Sequence, residues 1–223
     1  SKYMMLLVDL RNHGKSGKSD VHNYEVMAED IAAFIDQNFL FDAHILGHSM
    51  GGKVGMKLAL EYEDKIQSLI VVDILPRAYP GGHEHILSYL LDAPVHYWKD
   101  RAEATEYLSS RLSDHSIVQF LLKNLKRNKQ GPGFEWKFNL DALHNNYNQI
   151  LTSVESNHCY IGPVSFIKGE KSKYITNEGM EEAKELFPHA RLLEIEHAGH
   201  WVHADKPDKI EEAILQHLKR IKE

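Results

Sequence analysis

A chain of 223 residues can build one sizeable domain with a well-buried core. Its formal net charge of -6 argues against a polyanion-binding surface, so nucleic acid is not an expected partner. The single cysteine, Cys159, has no internal disulfide partner, no apolar run approaches the length of a membrane span, and the opening residues carry no secretory pattern. These features point to a cytoplasmic protein.

Taken in chain order, residues 3–8 (YMMLLV) form a continuous apolar run closed by Asp9, the pattern of a strand buried on both faces. The polar stretch 11–20 reads as a loop. Residues 25–39 show helical spacing, with Met27, Ile31, Phe34 and Ile35 on one face. A short strand over 43–46, a helix over 50–62 and a buried strand over 66–72 follow, the last ending at Asp73. Farther on, 164–168 and 191–195 read as strands, 178–187 as a helix between them, and 207–221 as a closing helix with Pro207 in its first turn. Strands alternating with helices predict an α/β fold, a mostly parallel sheet covered on both faces.

Residues 76–158 break this rhythm. They are helical in tone, most clearly over 103–112 and 117–127, and exceed what a simple crossover needs. They are expected to form a helical cap inserted between a first core segment, 1–75, and a second, 159–223. Leu87, Leu90, Leu91, Phe120, Leu121 and Leu122 are its candidate wall or core residues, with core the expected role for most.

The chemistry centres on Gly47-His48-Ser49-Met50-Gly51, which fits G-x-S-x-G between a strand and a helix, the setting a nucleophile elbow requires. Glycines on either side of Ser49 allow a turn too sharp for side chains. The following helix points its free N–H groups at the site, which makes the Met50 N–H the expected first oxyanion donor. A serine needs a base, and the chain offers His200 in Ala198-Gly199-His200-Trp201, after the last strand. Two carboxylates at strand ends could orient His200: Asp73 and Glu170. Position leaves both open. The strongly buried strand before Asp73, set against the charged run 168–173 around Glu170, favours Asp73.

These motifs resemble the α/β-hydrolase superfamily and, more narrowly, the YbfF-type esterases. The matching stretches are VDLRNHGKS (8–16), GHSMGGK (47–53), VVDILPRAYP (71–80), VQFLLKN (118–124), WKFN (136–139) and AGHWVHADKP (198–207). The resemblance implies Asp73 as the triad acid and a small acyl-ester or thioester as substrate. It also implies that 3–8 is the fourth strand of the fold. The three strands, the helix and the second oxyanion loop before it are then expected to be absent from this chain, with activity impaired if the chain is all there is.

Two rival readings stay open from sequence. One puts the same triad to C–C bond hydrolysis, perhydrolysis or a lyase step. The other is a ligand-binding protein that kept the fold without catalysis.

Other motifs carry less. Gly14-Lys15-Ser16 and Gly17-Lys18-Ser19 lack the earlier glycine of a phosphate-binding loop and read as a solvated turn, with Arg11 and His13 available to shape a pocket mouth. His83 and His85, or His197, His200 and His203, make poor metal sets. Trp98, Trp136 and Trp201 are expected to pack. With no G-x-G-x-x-G fingerprint, no cofactor is expected.

Overall fold

The computed structural model describes residues 3–221. In chain order its main elements are α1 (Tyr24–Gln37), β1 (Ala43–His48), α2 (Met50–Glu61), β2 (Ile66–Val72), α3 (Glu84–Leu91), α4 (Arg101–Ser109), α5 (His115–Lys123), β3 (Leu125–Arg127), β4 (Phe134–Trp136), α6 (Leu140–Asn145), α7 (Tyr147–Leu151), β5 (Val164–Gly169), α8 (Asn177–Leu186), β6 (Ala190–Ile195), α9 (Val202–Asp205) and α10 (Pro207–Arg220). They group into two compact units. One joins residues 3–23 to Pro80–Gln149, and the other joins Tyr24–Tyr79 to residues 150–221.

The second unit is built on a parallel sheet of four strands in the order β1-β2-β5-β6. Hydrophobic patterning decides which strands are central. In β2 every residue but Gln67 is buried and in β5 every residue but Lys168, because both lie between neighbours and under helices on two faces. The outer strands β1 and β6 are only half-buried and carry polar residues such as His44, Arg191 and Glu194. Against the sheet Ile70, Val72, Ile167 and Ile195 meet Ala198, Val202, Ile210 and Ala213 in one apolar cluster. The expected closing helix is α10, with Pro207 at its start, where a missing N–H costs nothing.

The register aligns the chemistry. His48 pairs with Val72, Val72 with Ile167, and Gly169 with Ile195, so the C-terminal ends of all four strands reach one edge. The ladder even runs one residue further: Ser49 N–H donates to the Val72 carbonyl at 2.9 Å, and Asp73 N–H to the Ile167 carbonyl at 2.8 Å.

The first unit is mainly helical and has its own core. Trp136 stacks on Phe138 with ring centroids 5.4 Å apart and takes Trp98 edge-on, among Leu90, Leu108, Leu121 and Leu122. Leu87 is half-buried, while Leu91 and Phe120 are exposed. The polar turn after Asp9 is organised by that residue. Its carboxylate accepts from Lys15 N–H at 2.9 Å, its carbonyl accepts from the Ser16 hydroxyl at 2.6 Å, and a side chain at Gly14 would fall on the carboxylate.

Two expectations are corrected. The strand over 3–8 does not form; no described strand pairs with it, and the side chains of residues 4–8 stand exposed, Leu7 at 91%. An apolar pattern becomes a strand only where its N–H and C=O groups meet a neighbouring edge, and here none is supplied. The helix expected over 117–127 is α5 ending at Lys123. Leu125–Arg127 then turn into a short antiparallel ribbon with Phe134–Trp136, pairing Leu125 with Trp136. Helical periodicity persists by chance into β3, and the cross-strand pair decides its conformation.

Candidate active site

The turn from β1 into α2 is as sharp as the motif requires. Ser49 has φ 53° and ψ -121°, a left-handed region in which a non-glycine residue is strained by about 1–3 kcal/mol. A side chain at Gly47 would collide with the Gly51 carbonyl and the Gly52 nitrogen, so position 47 admits glycine alone. Gly51, by contrast, faces open space. Strain at Ser49 persists because the ladder holds its N–H, while its carbonyl accepts the first helical bond from Gly52 at 2.8 Å. Met50 opens α2, so its N–H belongs to the first-turn amides that have no carbonyl behind them within the helix.

Ser49, His200 and Asp73 are brought together. His200 Nε2 lies 3.1 Å from Ser49 Oγ, and His200 Nδ1 lies 2.8 Å from Asp73 Oδ2. A carboxylate accepts, so Nδ1 carries the proton and Nε2 presents its lone pair to the serine hydroxyl. Asp73 is fully buried and also adopts a positive φ, 55°. Besides His200 it accepts from the Gly169 N–H at 3.1 Å and from the Ser172 hydroxyl. Three donors compensate the burial of its charge.

Glu170, the other carboxylate the sequence left open, turns away. Its Oε2 accepts from the His197 backbone N–H at 2.6 Å and lies 3.3 Å from His197 Nδ1, with its side chain 42% exposed. The His197 backbone bond holds the Glu170 carboxyl below its usual range. His200 spends both ring nitrogens on Ser49 and Asp73, which leaves none for a metal shared with His197 and His203.

Several contacts around this chain of hydrogen bonds escaped sequence reasoning. Tyr174 stacks on His200 at 4.2 Å between centroids, and the Tyr79 hydroxyl donates to the Tyr174 carbonyl at 2.7 Å. His48 packs against His200, Trp201 and His203. Trp201 thus stands beside the histidine rings, whereas Trp98 and Trp136 lie in the helical core. Lys53, one turn along α2 from Ser49, is almost completely buried. Its ammonium donates to the Thr152 carbonyl at 2.6 Å and lies near the Tyr24 and Tyr79 rings, and burial lowers its pKa to about 8. Only GHSMGGK, in which Lys53 follows the elbow, could have flagged it.

Comparison with known proteins agrees with this architecture. Residues 2–207 match the family model described as the alpha/beta hydrolase fold. The chain is 38% identical over 219 residues to a putative esterase/lipase of Haemophilus influenzae, covering 98% of this chain and 75% of that protein. It is 37% identical to the sn-1-specific diacylglycerol lipase ABHD11 of Mus musculus (96% and 71% covered) and 34% identical to esterase YbfF of Escherichia coli (96% and 82% covered). Among solved structures, a marine microorganism esterase superimposes with a TM-score of 0.90 at 37% identity, covering 93% of this chain and 82% of that one. The chain therefore belongs to the α/β-hydrolase fold family, and its relatives include YbfF-type esterases.

Proposed function

We propose that this chain is a serine hydrolase that cleaves carboxylic esters or thioesters of modest acyl chain through an acyl-enzyme on Ser49. The observation that carries the reading is the continuous hydrogen-bonded line from Ser49 Oγ through His200 to Asp73. The esterase and lipase names of the relatives support the ester as substrate class. In the first step Ser49 Oγ attacks the acyl carbon while His200 Nε2 takes the hydroxyl proton. The oxyanion is met by the Met50 N–H at the positive end of α2. His200 then hands the proton to the departing alkoxide or thiolate. Water attacks the acyl-enzyme, giving its proton to His200, and the carboxylic acid leaves as Ser49 is reprotonated.

Asp73 keeps the imidazole in the Nδ1–H tautomer and stabilises the imidazolium formed in each step. In this reading residues 76–158 are the helical cap inserted in sequence between core segments 1–75 and 159–223. No described helix is long and apolar enough to cross a membrane, and the exposed thiol of Cys159 suits a reducing compartment such as the cytoplasm.

The test is intact-mass analysis before and after a fluorophosphonate probe, with peptide mapping, beside a panel of p-nitrophenyl esters and acyl-CoA thioesters. The expected result is one adduct, on Ser49, with hydrolysis of short esters or thioesters. Ser49→Ala should lose both. An unlabelled Ser49, with hydrolysis of none of these substrates, would overturn the reading.

A further inference from the structure

The sheet fixes Ser49 and Asp73, since each continues a ladder strand, but it does not fix His200. The loop from β6 to His200 leaves the ladder, bends through His197 at φ 61°, and is tied short of His200 by His197 N–H to the Glu170 carboxylate at 2.6 Å, Lys171 N–H to the Ala198 carbonyl at 2.9 Å and Gly199 N–H to the Asp205 carboxylate at 2.8 Å. The His200 ring is oriented by Asp73 and by the stacked Tyr174, yet these contacts act on the side chain. The backbone is gripped by another residue. His48 Nε2 lies 2.8 Å from the His200 carbonyl oxygen, and the two rings lie tilted at 43° with centroids 4.7 Å apart. His48 is itself the last residue of β1, in register with Val72 and bonded directly to Ser49.

We infer that His48 is a positioning residue, holding the backbone of His200 against the nucleophile elbow by donating its Nε2–H to the His200 carbonyl. The inference rests on the reading of Ser49, His200 and Asp73 as a catalytic triad. A carbonyl can only accept, so the contact requires the proton on Nε2 of His48 and leaves its Nδ1 bare. Burial favours the neutral ring, lowering the His48 pKa to about 4, which keeps a second positive charge away from the imidazolium that forms on His200. His48 thus ties the backbone of His200 itself directly to the nucleophile elbow. The strand supplies the rigid anchor, and the side chain measures the distance from Ser49 to the base.

Two variants separate this role from mere packing. His48→Phe keeps a ring of similar size and loses the donor, whereas His48→Gln keeps an N–H at similar reach. Each is compared with the parent chain in kcat, KM and the rate of fluorophosphonate labelling, with ring nitrogen NMR reporting the His48 tautomer. Displacing a reacting group by a fraction of an ångström to an ångström costs on the order of tenfold to a hundredfold. His48→Phe should therefore lose that much in kcat and labelling rate with KM changed by less than about threefold, and His48→Gln should recover most of the loss. His48 in the parent should carry its proton on Nε2.

Labelling of His48→Phe at the parental rate would overturn the inference, as would a His48→Gln variant as slow as His48→Phe, or an Nδ1–H tautomer. If the parent chain is neither labelled at Ser49 nor able to hydrolyse any of the esters and thioesters, the hydrolase reading fails by itself. The tautomer measurement then still decides whether the His48 contact exists.

Discussion

Asp73 and Glu170 both leave the same sheet edge, and their surroundings give them different work. Asp73 is sealed from water with three donors on its two oxygens, whereas Glu170 is half in solvent and bound to the backbone of His197. Replacing Asp73 by Asn removes the acceptor for the His200 Nδ1–H. The ring then takes the other tautomer, and the lone pair that should receive the Ser49 proton is gone. Turnover of a p-nitrophenyl ester is expected to fall on the order of 10⁴-fold for Asp73→Asn. Glu170→Gln should change it by about twofold or less, since an exposed ion pair contributes little. Comparable losses from both would count against Asp73 as the acid of the proposed triad. Ser172→Ala is a milder probe. It strips one of three donors from Asp73 without touching the imidazole, so kcat should drop by about three- to tenfold, a loss of the size of one modest hydrogen bond.

At the scale of elements, the elbow shows what could be read in advance. Ser49 and His200 were legible because each sits in a short motif at a strand end, and chain order alone matches them to this fold. Asp73 was legible through the burial of its strand and through the resemblance carried by VVDILPRAYP. Ser172, Tyr174 and His48 were not, because nothing in a charged loop or a variable motif position signals which side chain will fold back on the site. The two glycines flanking Ser49 were read as equivalent, and the structure separates them. A methyl at Gly47 would meet backbone atoms that cannot yield, while one at Gly51 would meet nothing within 4 Å. Gly47→Ala is expected to cost about 2 kcal/mol or more in urea unfolding, the range of an overpacked site. Gly51→Ala should leave stability unchanged or raise it by about 0.5–1 kcal/mol, because alanine is the better helix former. Equal destabilisation by both would mean that the turn is not drawn as tightly as described. The apolar run at 3–8 fails for a related reason: period and composition describe what a segment can bury, but pairing requires an edge that only the assembled sheet defines.

Across the whole molecule, three histidines share one electrostatic fate. His22, His48 and His217 are each held to a pKa of about 4, first of all by burial, and His22 and His217 are almost completely enclosed. His217 sits under the sheet with Nδ1 2.7 Å from the Ser165 hydroxyl, while His22 lies near Asn12 in the helical unit. In the unfolded chain the same rings titrate near 6.5. Between pH 6.5 and about 4 the unfolded chain therefore binds more protons than the folded one, so stability falls as the pH falls through that window. Above pH 6.5 both states are neutral at these sites, and their contribution is fully present. Each ring can account for up to about 3 kcal/mol across the window, before relaxation reduces it. The urea midpoint is accordingly expected to decline steeply from pH 6.5 to 4.5. His217→Gln, which keeps a polar group for Ser165 and cannot become charged, should flatten that decline even if it lowers stability at pH 7.5. A parental midpoint that stays level down to pH 4.5, or a His217→Gln slope identical to the parent's, would show that the buried imidazoles do not carry the acid limb. The exposed carboxylates Asp114 and Glu170, whose pKa values are lowered, add a loss of the same sign only as the pH falls through the unfolded carboxylate range near 4, at the foot of this window.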